Sequence, residues 1–73
     1  MPAAASSWRA KFGRNIRRFR QMRGLTWEQL AFEAEIDLTY VGGIERGNQN
    51  PSLLVIARLA DALSVPLPKL LSD

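Results

Sequence analysis

The chain contains no cysteine and no histidine. Without thiols or imidazoles it forms no disulfide, builds no thiolate or imidazole metal site, and runs no imidazole acid-base chemistry. No apolar run approaches the length of a membrane span. The opening residues 1–7, MPAAASS, have neither the cationic start nor the apolar stretch of a signal peptide. The expectation is a cytoplasmic protein with a flexible tail over residues 1–6 and one domain over residues 7–73. The acids are scattered and no nucleophile has a base beside it, so an enzyme is not expected, and nothing in so short a chain implies a cofactor or small-molecule ligand.

Acids are also missing from the first third. Residues 1–24 hold Arg9, Lys11, Arg14, Arg17, Arg18, Arg20 and Arg23 and no Asp or Glu, whereas residues 25–73 hold three bases and seven acids. The net charge of +3 therefore hides a bipolar surface. Seventy-three residues make a single domain, near the lower limit for a core that holds together without metals or disulfides.

What is present is helical periodicity. Trp8, Phe12, Ile16 and Phe19 recur four, four and three apart, which predicts a first helix from about Ser7 to Met22, ended by Gly24. Thr26 with Gln29 three residues on forms a capping box that opens a second helix carrying Leu30, Ala31 and Ala34. Asp37 caps a third, with Val41 and Ile44 on one face and Gly47 as its stop. The polar loop NQNPS leads to a fourth helix over Leu53–Leu63, with Ser52 as its cap. A short fifth covers Leu67–Leu71, with Pro66 and Pro68 tolerated at its entry. The fold class is all-α, a compact five-helix bundle. Its expected core is Ile16, Phe19, Leu25, Leu30, Ala31, Ala34, Ile36, Val41, Ile44, Leu53, Ile56, Leu59, Ala60, Leu63, Val65 and Leu70.

Only Glu35 and Ile36 separate the apolar face of the second helix from the cap of the third. So short a connection forces a steep crossing, and small Ala31 and Ala34 allow close approach. This is the helix-turn-helix arrangement, whose second helix can enter the major groove of DNA. Beside it, the Arg-rich first helix gains a purpose: Arg14, Arg17 and Arg18 lie opposite the Ile16 and Phe19 stripe, where they either contact phosphates or remain solvated.

The pattern LTWEQLAFEA, then IERGNQNPS, then LADALSVPLPKLL resembles the phage lambda repressor-like helix-turn-helix family, the Cro/repressor or XRE type, from about Phe12 to Leu71. The short length and the NPSLL block also resemble the restriction-modification controllers. The resemblance implies a sequence-specific, double-stranded DNA-binding transcriptional regulator that binds a palindromic operator as a homodimer. By motif match, Leu38, Thr39 and Gly43 would read bases, while Trp27, Tyr40, Arg46, Asn48, Gln49 and Asn50 would line the phosphate backbone. It also implies a pair between Arg20 and Glu45 that ties the first helix to the third.

Three departures stand out. Family members usually carry Gln where Trp27 stands, Gly where Glu35 stands, and polar side chains where Leu38, Gly42 and Gly43 stand. Trp27 either offers its indole N–H to a phosphate or packs against the first helix or Tyr40. Gly42 and Gly43 each cost about 1 kcal/mol in a helix interior. They either let the helix lie deeper in the groove or mark a face that no longer reads bases, as in a protein-interaction or antitoxin-like module on the same fold. The fourth helix is apolar over more than half its circumference in one turn, so Leu54 and Val55 are expected to face away from the core and, with Leu67, to form a dimer interface.

Overall fold

The computed structural model describes residues 2–72 of the chain. Five helices follow in order: α1 (Pro2–Met22), α2 (Trp27–Ala34), α3 (Leu38–Glu45), α4 (Leu53–Leu63) and α5 (Leu67–Leu71). The start of α1 differs from expectation. Residues 2–6, read as part of a tail, belong to the helix, because proline is accepted at a first helical position and the alanines after it have the highest helix propensity.

The local signals act as chemistry requires. The Thr26 hydroxyl accepts from the Gln29 backbone N–H at 3.1 Å, and the Gln29 side chain accepts from the Thr26 N–H at 2.8 Å, which closes the capping box. Asp37 caps α3 by accepting from the Thr39 N–H, and Ser52 caps α4 by accepting from that of Val55. Gly24 and Gly47, the expected stops, have φ of +68° and +78°. Glu35, standing where the resembled family has glycine, also adopts the left-handed conformation, with φ 59° and ψ 45°. A side chain there costs roughly 1 kcal/mol or more.

Helix α1 packs against α3, α4 and α5, while α2 packs on α3 and α4. Ile16, Leu30, Val41, Ile44, Leu59, Leu63 and Leu70 meet in the centre with Phe12. Phe19, Leu25, Ile36 and Val65 lean on this cluster half-buried. Leu53 is a correction, being 70% exposed: it lies in the first turn of α4, off the stripe of Ile56, Leu59 and Leu63. Its neighbour Leu54 is exposed as expected, but Val55 and Leu67 pack partly against the core. One polar residue is buried among the described residues. Asn15 donates its side-chain N–H groups to the carbonyls of Leu70 at 3.0 Å and Ser72 at 2.8 Å, fastening α1 to the end of α5.

Candidate nucleic-acid interface

Helix α3 is held from behind. Gly13 of α1 sits where a Cβ would fall on the Ile44 carbonyl oxygen and 2.8 Å from that of Glu45, so the two helices meet backbone to backbone. A turn earlier, the backbone of Ala10 lies against Gly47. A glycine inside a helix signals that something approaches closely, and Gly13, on which no expectation rested, carries that signal as Gly42 and Gly43 do.

A buried ion pair completes the attachment. Arg20 Nε donates to Glu45 Oε2 at 2.7 Å and Arg20 Nη2 to Oε1 at 3.1 Å, a two-pronged contact with side chains 13% and 3% exposed. The remaining prong, Nη1, donates to the Leu25 carbonyl at 2.9 Å, which reaches the entry to α2. Trp27 adds a third donor to the same carboxylate, its indole Nε1–H lying 3.0 Å from Glu45 Oε1. The Arg20 guanidinium carbon is 6.0 Å from the Trp27 ring centre, within cation–π range. In this geometry the indole N–H that could have met a phosphate is engaged by Glu45, while the ring lies between Gly42 of α3 and Arg20 of α1.

The two glycines of α3 have a packing explanation. Both are buried. A Cβ at Gly42 would lie 3.2 Å from Arg46 Nη1 and 3.4 Å from the edge of the Trp27 ring, while one at Gly43 would lie 2.8 Å from Gln49 Cγ. Gly43, assigned to base reading, is instead covered by the Gln49 side chain, which the loop after α3 folds back over the helix; the Asn48 N–H donates to the Gly43 carbonyl at 2.9 Å and fixes that loop. Only the tertiary path of the loop reveals this. Alanine at position 43 thus has to displace Gln49 before any gain in helix propensity is felt.

The remaining assigned residues divide by place. Leu38 and Thr39 are exposed on the first turn of α3. Arg46, Asn48 and Asn50 are exposed around its far end, Gln49 is half-buried over Gly43, and Tyr40 packs against the core. On α1, Arg14, Arg17 and Arg18 are exposed, and Arg17 shares the helix side of Ala10, Gly13 and Arg20 that borders α3. Arg18 lies over the Phe19 ring at 4.9 Å. Arg23 serves the fold: its Nη1 donates to the Ala62 carbonyl at 2.8 Å and to the Ser64 hydroxyl at 3.1 Å, joining the end of α1 to the end of α4. Nothing in the local pattern separated Arg20 and Arg23, which hold other elements, from Arg14, Arg17 and Arg18.

An open pocket of about 280 Å³ lies between the start of α2 and the outer side of α3, lined by Trp27, Leu38, Thr39, Gly42 and Arg46. No helix among the described residues is long and apolar enough to cross a membrane.

A short helix clamped from behind, with its outer side open and cationic groups around it, defines a helix-turn-helix DNA-binding protein. The sequence profile of the helix-turn-helix family HTH_3 matches residues 16–70, and the chain belongs to that family, as a DNA-binding transcriptional regulator of the XRE, lambda repressor-like type. It is 41% identical over 59 residues to the uncharacterized HTH-type transcriptional regulator YazB of Bacillus subtilis, covering 81% of this chain and 86% of that one. It is 41% identical over 66 residues to control protein C.BamHI of Bacillus amyloliquefaciens, covering 89% and 80%. Among solved structures, the restriction-modification controller protein C.AhdI of Aeromonas hydrophila superposes with a TM-score of 0.83 at 45% identity, over 85% of this chain and 94% of that one.

Proposed function

We propose that the protein is a controller-type regulator that binds a palindromic operator as a homodimer in the cytoplasm, with α3 in the major groove, and acts by binding rather than by chemistry. The observation that carries this reading is the opposition within α3: Leu38 and Thr39 open to solvent on one side, the Arg20–Glu45 pair and Gly13 fixing the other. Thr39 reads a base edge through its hydroxyl or methyl, and Leu38 makes apolar contact. Arg46, Asn48 and Asn50, with Arg14 and Arg17 from α1, supply phosphate contacts, and these provide most of the affinity. The likeness to proteins named control proteins and restriction-modification controllers, at nearly full length, supports a small stand-alone regulator that represses or autoregulates.

Exposed Leu53 and Leu54 at the start of α4 supply an apolar patch for the second protomer, with Val55 and Leu67 beside the core beneath it. The rival interaction-module reading drew on the glycine pair, and packing of Trp27 and Gln49 accounts for those residues.

Selection of bound duplexes from a random pool tests the proposal, followed by titration of variants on the selected and a scrambled duplex. Thr39→Ala should relax preference at one base-pair position, while Arg46→Ala should weaken all sequences alike and make the salt slope shallower by about 1. Leu54→Glu should give a folded monomer in sedimentation, with weakened operator binding. If no duplex is enriched by selection, sequence-specific operator binding fails as a reading; a monomeric parent at high concentration removes the dimer.

A further inference from the structure

Trp27 is one of the positions at which this chain departs from the family pattern, and its fixed position has a consequence for recognition. The indole N–H is held by Glu45 Oε1, so the ring stands in one orientation with its benzene edge beside Gly42. Leu38 lines the same space, Gly42 adds no side chain to it, and Thr39 and Arg46 complete the lining, with Arg46 Nη1 3.2 Å from where a Gly42 Cβ would stand. The result is a notch with one aromatic wall and one aliphatic wall on the outer side of α3. Trp27 and Leu38 are each 41% exposed, so both walls are reachable from solvent.

A phosphate would be held at Arg46 and Thr39, which carry the polar groups of the lining, and not between Trp27 and Leu38, because the one N–H on the indole already donates to a carboxylate and the leucine side chain has no donor. An apolar group on a DNA strand fits better, and in the major groove the base pairs offer one such group, the 5-methyl of thymine. Arg46, which lines the same space, can hold the phosphate of the same strand while the methyl edge of the pyrimidine enters between Trp27 and Leu38.

We infer that the Trp27–Leu38–Gly42 notch is a thymine-reading site, in which the 5-methyl edge of one thymine per half-site lies between the indole and the leucine side chain. Base choice at that position is then set by shape and apolar burial, with Gly42 as the specificity-determining residue because any side chain there fills the notch. This rests on the placement of α3 in the major groove proposed above.

Deoxyuridine substitution isolates the methyl. Duplexes selected by the full chain are resynthesised with deoxyuridine in place of each thymine in turn and titrated with the parent, Gly42→Ala, Leu38→Ala and Arg46→Ala, each first shown by thermal melting to be folded. In the parent, one thymine per half-site should become about fourfold weaker when its methyl is removed, the factor that corresponds to burial of about 0.8 kcal/mol per carbon. The penalty should vanish in Gly42→Ala, where the notch is filled, and in Leu38→Ala, where a wall is gone. Leu38 is on the surface, so its variant keeps the test open if Gly42→Ala does not fold. If no thymine is sensitive in the parent, or if the penalty survives in both variants, the notch assignment is overturned. Groove placement stands in that case provided Arg46→Ala still weakens binding; a parent that shows no preference among duplexes and no loss in Arg46→Ala overturns both readings together.

Discussion

On the inner side of α3, Val41 and Ile44 are fully buried, Gly13 brings α1 against the last carbonyls of the helix, and Glu45 accepts three hydrogen bonds from Arg20 and Trp27. On the outer side stand a leucine, a threonine and two glycines, with no long polar side chain before Arg46. In this molecule, far more contacts fix the helix's orientation than are available to read a base. Losing orientation should therefore cost more than losing any single reading contact, and the difference is open to measurement from both sides.

The largest effect is expected at the ion pair. Glu45→Ala leaves the Arg20 guanidinium buried without its carboxylate and should lower unfolding free energy by roughly 3 to 5 kcal/mol in urea titration. Glu33→Ala, on an exposed position of α2, should stay within about 0.5 kcal/mol. Equal losses in the two variants would break the comparison at its root. Next comes Gly13→Ala, in which a methyl meets the Ile44 and Glu45 carbonyls. Overpacking against backbone should cost about 1 to 3 kcal/mol and tilt α3, so operator affinity should fall even under conditions where the variant is fully folded. Unchanged affinity in such a variant would separate orientation from reading.

Trp27→Phe keeps a ring but removes the donor to Glu45. A loss of about 1 kcal/mol follows from a single hydrogen bond of this exposure, measured by the same titration. A stability equal to that of the parent would show that Arg20 alone sets the carboxylate. The smallest effect lies outside both faces. Glu35→Gly relieves a left-handed side chain in the α2–α3 turn and should raise stability by up to about 1 kcal/mol, which is a few degrees in a thermal melt. DNA binding should not change, since the turn's path is already the one glycine favours.

The helices were legible in the sequence because their signals are local. Thr26 with Gln29, Asp37 and Ser52 cap through atoms two or three residues away, and Gly24 and Gly47 end helices through their own φ. The Arg20–Glu45 pair was readable through family resemblance, since nothing local links residues 25 apart. What stayed hidden depends on another element arriving. Gly43 looked like an open reading position until the loop after α3 laid Gln49 over it, and Trp27 stood open between a phosphate and packing on the first helix or Tyr40 until Glu45 came within reach. Leu53 and Val55 exchanged their expected places because periodicity gives a helix its apolar side but not where its neighbours stop.

Asn15 reaches carbonyls 55 and 57 residues further along, and the helix that carries it also supports α3 through Gly13 and Arg20 and α4 through Arg23. The α2–α3 unit therefore has no complete core of its own, and α3 is buried against a helix whose other attachments lie at the far end of the chain. Local opening has little to separate from. In native-state hydrogen exchange, the central amides of α1, α3 and α4 should thus share a single protection free energy and be released together, with frayed helix ends alone exchanging sooner.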